Sequence, residues 1–140
     1  MKKLLRISNL LMVLIFLLAC ASCEKDSDNR SKEELLLAHI WNWNKMTTTS
    51  TNEEVQDLIA VFSVLMTGTT LEFHPDGSYT IASPLSDPDV ADWELLDDNT
   101  ILMDEDEMTI KKLTDSELIL EGEEVDDDYG TYSVTLYWKK

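Results

Sequence analysis

Cysteine is nearly missing from this 140-residue chain. Its two copies, Cys20 and Cys23, stand close to the N-terminus, so the rest of the chain can build neither a disulfide framework nor a thiolate metal site. Glycine is scarce, with four residues, which removes the glycine-rich loops that cradle phosphates. Positive charge is short as well. Eleven Lys and Arg face 28 Asp and Glu, for a net charge of -17. A chain of that sign repels phosphate backbones, which excludes nucleic acid as a partner. His39 and His74 are the only histidines, too few for a zinc site built on imidazoles. No Gly-x-Ser-x-Gly elbow frames a nucleophile. With carboxylates this numerous, any two neighbours are expected by chance, and pairing alone does not define a hydrolase. No catalytic residue and no cofactor is expected.

What is present begins with the leader. Met1 to Arg6 is a basic head, Ile7 to Leu18 is apolar apart from Ser8 and Asn9, and Leu17-Leu18-Ala19-Cys20 follows. The apolar run is too short to span a bilayer, and the order of segments is that of a secretory signal peptide. Leu17-Leu18-Ala19-Cys20 resembles the lipobox of bacterial lipoproteins, in which the cysteine becomes the lipidated N-terminus. Cys23 is the rival site, because Glu24 and Asp26 follow it. Acidic residues placed there resemble the signal that sends some Gram-negative lipoproteins to the cell surface. The resemblance implies a palmitate-bearing anchor and an outer-membrane lipoprotein exposed on the cell envelope. The division expected is a signal peptide over 1–19, a flexible tether over 20–31 and one folded domain over 32–140.

Within that domain, Ser31-Lys32-Glu33-Glu34 has capping-box spacing and predicts a two-turn helix. Trp41 to about Thr49 alternates and predicts a strand. Thr51-Asn52-Glu53-Glu54 reads as a second capping box, opening an amphipathic helix over 52–66 with Val55, Leu58, Ile59, Phe62, Leu65 and Met66 on one face. The rest reads as strands. His74-Pro75-Asp76-Gly77 is a turn inside a hairpin over 69–82, and Ser83 to Asp89 is a loop. Strands are expected at 92–95, 100–103, 108–113, 117–121 and 129–138, with an acidic loop over 122–128. Tyr132, Val134, Leu136 and Trp138 share one face of the last strand. Eight strands at this spacing favour an antiparallel meander, which closes into a barrel without free edges.

The order of these pieces is similar to the lipocalin-like (calycin-type) domains of small bacterial lipoproteins. The matching segments are the short helix before Trp41, then Leu71 to Ile81, Trp93-Glu94-Leu95 with its Asp-Asn turn, and Met108 to Leu120. Lipocalins proper carry a glycine two residues before the first-strand tryptophan, where this chain has His39, and the helix at 52–66 is inserted between the first two strands. The resemblance implies an eight-stranded up-and-down barrel that binds a small ligand without catalysis.

Candidate ligand-lining residues are Trp43, Tyr79, Trp93, Met103, Met108 and Tyr132. Aromatic and Met side chains facing the barrel axis either fill the interior or line a small cavity, and the 52–66 helix either caps one mouth or completes the core. Glu123, Glu124, Asp126, Asp127 and Asp128 lack EF-hand spacing and read as a solvated loop. The expected function is a lipid-anchored binding module for a small apolar or amphipathic ligand. The alternative is a solid barrel that docks an envelope protein or glycan.

Overall fold

The computed structural model describes residues 30–140. The signal peptide, Cys20, Cys23 and most of the expected tether lie outside the described residues. Eight antiparallel strands follow one another around a closed barrel: β1 (Ile40–Thr48), β2 (Thr70–Phe73), β3 (Ser78–Ala82), β4 (Asp89–Asp97), β5 (Thr100–Met103), β6 (Asp106–Leu113), β7 (Glu117–Asp126) and β8 (Gly130–Lys139). Helix α1 (Lys32–Leu37) precedes β1, and helix α2 (Glu53–Leu65) separates β1 from β2. This is the mainly β, eight-stranded, antiparallel up-and-down barrel expected from the strand spacing.

The barrel closes where β1 pairs with β8, from Asn42↔Lys139 to Thr48↔Val134. On its other side β1 pairs with β2 over Ile40–Asn42. Above that point β2 is absent, and α2 packs against β1 instead. Period-two alternation sends one side-chain set inward. Leu71 and Phe73 on β2, Ile101 and Met103 on β5, and Leu118 and Leu120 on β7 are all buried. They join Leu36, Trp41, Tyr79, Ile110 and Trp138 in one core. Fully burying a side chain of this kind contributes about 1.5–3 kcal/mol.

The two ends of the barrel differ. The turns at 74–77, 98–99 and 114–116 gather at one end with α1 and the C-terminus. Leu36 seals this end, being fully buried in the core, and its carbonyl accepts the Trp41 indole N–H at 3.2 Å. Ser31 caps α1, and Glu34 returns the bond to the Ser31 backbone, the capping box read from the sequence. Asp115 ties this end together by accepting from Arg30 at 2.6 Å and Lys140 at 3.3 Å and by pairing with His39 at 2.7 Å. Arg30 and Ser31, assigned to the tether on composition, are therefore engaged with the domain. The opposite end carries α2, the 83–88 loop and the turns at 104–105 and 127–129.

Local details depart from expectation. Asn52, not Thr51, caps α2, because its Oδ1 reaches both Glu54 N (2.9 Å) and Val55 N (3.3 Å). The face of α2 against the barrel runs through Val55, Ile59, Ser63 and Met66, while Leu58, Phe62 and Leu65 stay about half exposed. Strand β4 begins at Asp89, inside the expected loop. The acidic segment 122–126 is not a loop. It continues β7, because β8 pairs with it residue by residue to Asp126↔Gly130, and ladder hydrogen bonds are indifferent to charged side chains when both faces are solvated.

Candidate functional site

Side-chain size decides where this barrel is filled. Toward the closed end the inward positions are bulky. Phe73 and Trp93 meet edge to face at 5.1 Å, and the Trp93 indole N–H donates to the His74 carbonyl at 3.2 Å. Toward the open end they become small or flexible. Gly122 faces Val134 across the β7–β8 pair, and a Cβ added at Gly122 would stand 3.3 Å from Met108 Cε. A cavity of about 400 Å³ results, within the range of small-molecule sites. Its wall is Met46, Leu71, Tyr79, Ile81, Met103, Met108, Leu120, Gly122, Val134, Leu136 and Trp138. Three methionines in that wall give it an adaptable apolar surface.

The mouth is different in kind. Glu105 from the β5–β6 turn and Asp106 and Glu107 from the start of β6, with Glu123 and Glu124 from β7, form its rim. Burial, reinforced by the carboxylates of Asp104, Asp89 and Asp106, pushes the Tyr79 phenol up from its ordinary value, so at neutral pH Tyr79 is an uncharged wall residue. The indole N–H of Trp138 is a buried side-chain donor without a partner among the described residues. Among those residues, no group of three or more His, Cys, Asp or Glu is arranged to hold a metal ion. His74 instead bonds Thr80 Oγ1 at 2.8 Å.

The six sequence candidates divide evenly. Tyr79, Met103 and Met108 stand on the cavity wall. Trp43 lies behind it, edge-on to Trp138 at 5.0 Å, with its indole N–H donated to the Ser63 carbonyl at 2.9 Å. Trp93 belongs to the closed-end aromatic cluster and borders a separate depression of about 250 Å³. Tyr132 shares the inward parity of β8, but it pairs with Glu124 where the β7–β8 ribbon runs past its neighbours. Pairing of β1 with β8 ends at Val134, and pairing of β6 with β7 ends at Glu121, so Tyr132 lies beyond both ladders and outside the residues that line the cavity. Gly122 and Met46 were not singled out in the sequence. A lone glycine inside a strand was the available signal for Gly122, hidden by the acidic run around it.

No protein-family model matches the chain, and no curated protein matches it. Among proteins of known structure, the chain is similar to bovine odorant-binding protein. The form in complex with a selenium-containing odorant is 14% identical, over 84% of this chain and 77% of that one, with a TM-score of 0.48. The form complexed with its natural ligand is 18% identical over 84% and 76%, with a TM-score of 0.47. A deswapped triple mutant is 18% identical over 73% and 72%, with a TM-score of 0.45.

Proposed function

We propose that this protein is a non-catalytic, lipid-anchored binding module of the Gram-negative outer membrane that holds one small apolar or amphipathic molecule in its barrel. The observation that carries the reading is the 400 Å³ cavity, walled by apolar side chains and opening at one end. The chain enters the domain at the other end, where Arg30 meets Asp115. A tether attached there leaves the mouth directed away from the lipid. Cys20 is the proposed anchor, with Cys23 as the alternative.

Titration of the 30–140 barrel with the neutral dye N-phenyl-1-naphthylamine tests the binding role. The expected result is saturable one-to-one binding, seen also by native mass spectrometry, and competition by small apolar molecules. Absence of saturable binding overturns the proposal. Metabolic labelling of the full chain with radioactive palmitate tests the anchor, with label expected to disappear on Cys20→Ser and to persist if Cys23 is the site. The second reading, a surface interaction module, draws on α2, where Val61 and Val64 are 56% and 72% exposed.

A further inference from the structure

All of the basic side chains of the barrel except one lie toward its closed half. Between Met46 and Ile110 the sequence contains no Lys or Arg, and none occurs again between Leu113 and Trp138. Arg30, Lys32, Lys139 and Lys140 cluster with α1 and the 98–99 and 114–116 turns. Lys32 bonds Asp98 and Asn99, and Lys140 bonds Asp115. Lys111 and Lys112 are paired with Glu121 and Glu117. The exception, Lys45, lies over the ring of Tyr137, 4.7 Å from its centroid. The mouth is therefore lined by Glu105, Asp106, Glu107, Glu123 and Glu124, of which Asp106 and Glu124 share the inward parity of their strands, with no lysine or arginine among its lining residues. Below the rim the surface turns apolar. There Trp138, only 3% exposed, stands on the cavity wall with its indole N–H unpartnered. A low-dielectric pit under a ring of one sign focuses its field outward and draws in the opposite charge.

Resting on the binding role proposed above, we infer that the cavity selects a cationic amphiphile: an apolar body, seated among the Met and Leu side chains, carrying a protonated amine or quaternary ammonium held at the carboxylate rim. An anionic amphiphile such as a fatty acid would place its carboxylate beside Asp106 and Glu124, which share the inward parity of their strands, within a rim that also holds Glu105, Glu107 and Glu123, and is disfavoured. The wall recognises the body by burial, worth about 25 cal/mol per Å² of apolar surface. The rim recognises the head by charge, at a strength that ionic strength controls. The Trp138 ring, on the cavity wall below the rim, adds apolar aromatic surface for the body rather than the head.

Three probes of equal chain length separate these contributions: decyltrimethylammonium, decanol and decanoate, titrated below their aggregation limits by tryptophan fluorescence, with tetramethylammonium as the head alone. Decyltrimethylammonium is expected to bind at least tenfold more tightly than decanol, and decanol more tightly than decanoate. The preference should shrink severalfold between 20 mM and 500 mM NaCl, and a Glu105→Gln, Asp106→Asn, Glu124→Gln variant should draw the cation and the alcohol toward one affinity. Gly122→Leu, which fills the cavity, should weaken the cation. If that variant does not fold, Gly122→Val serves in its place. Decanol binding as tightly as the cation, or decanoate preferred, overturns the charge selection while leaving the binding role standing. Tetramethylammonium binding as tightly as the decyl cation shows a charged surface without a seat and also overturns it. If no probe binds, both readings fail together.

Discussion

Leu118 and Asp115 show what single residues do in this barrel. Leu118 is fully buried on the inward face of β7, beside the Trp138 it pairs with. Removing its isobutyl group leaves a void that a closed sheet collapses poorly, so Leu118→Ala should cost about 2–5 kcal/mol in urea unfolding. A loss below about 1 kcal/mol would mean the core relaxes freely. Asp115 works by charge at the surface. The guanidinium of Arg30, then His39 and Lys140, hold its carboxyl well below the usual carboxylate range. A depressed folded value means that the ionised form favours the native state. Its stabilisation is complete above the ordinary value near pH 4 and is lost as the pH falls further. Asp115→Asn should therefore lower the melting temperature at pH 7, by an amount that narrows steadily below about pH 4. An equal difference at both pH values would show that the effect is not this ionisation.

At the scale of elements, α2 takes the place of a missing length of strand. Above Asn42, β1 has β8 on one side and no β2 on the other, which would leave its backbone donors bare. Ser63 answers one of them, its Oγ accepting from Met46 N at 3.0 Å, while its carbonyl takes the Trp43 indole N–H at 2.9 Å. Ser63→Ala leaves the Met46 amide without a partner and should cost about 1–2 kcal/mol. Hydrogen exchange at Met46 should accelerate with it, and unchanged protection there would refute the tie. This contact explains which parts of the fold were legible in the sequence. The Ser31 capping box and the Pro75-Asp76-Gly77 turn are local, written in neighbouring residues, and were read correctly. Hydrophobic periodicity puts Val55, Leu58, Ile59, Phe62, Leu65 and Met66 on one face of α2; Val55, Ile59 and Met66 do meet the barrel, but Leu58, Phe62 and Leu65 stay about half exposed, and a polar serine lies at the contact because its value is in hydrogen bonds to a strand 17 and 20 residues away. The length of β7 was likewise set by its partner and hidden by its own acidity. The cavity was the least legible feature. Inward parity could be read for Tyr79, Met103 and Met108. The empty space beside them depends on Gly122 facing Val134 across the sheet, and parity carries no information on how far a ribbon such as that of Tyr132 overshoots its neighbours.

The whole molecule is electrically lopsided, and this sets its response to salt. Eleven basic residues against 28 acidic ones leave most carboxylates without a counter-charge. The surface pairs at Lys111–Glu121 and Lys112–Glu117 are half exposed on the lysine side, where such a pair contributes about 0–1 kcal/mol. Screening weakens those few attractions and also weakens the far more numerous repulsions, including those among Glu105, Asp106, Glu107, Glu123 and Glu124 at the mouth. Folding brings these carboxylates together and unfolding lets them spread, so repulsion acts mainly against the native state. Raising NaCl from about 20 to 500 mM shortens the screening length from about 20 Å to about 4 Å and should raise the melting temperature by several degrees. Sodium chloride is the salt to use, because sulfate stabilises by exclusion from any protein surface. A melting temperature that falls with NaCl would show that the ion pairs outweigh the repulsion, and that the crowded mouth carries little of the electrostatic load assigned to it.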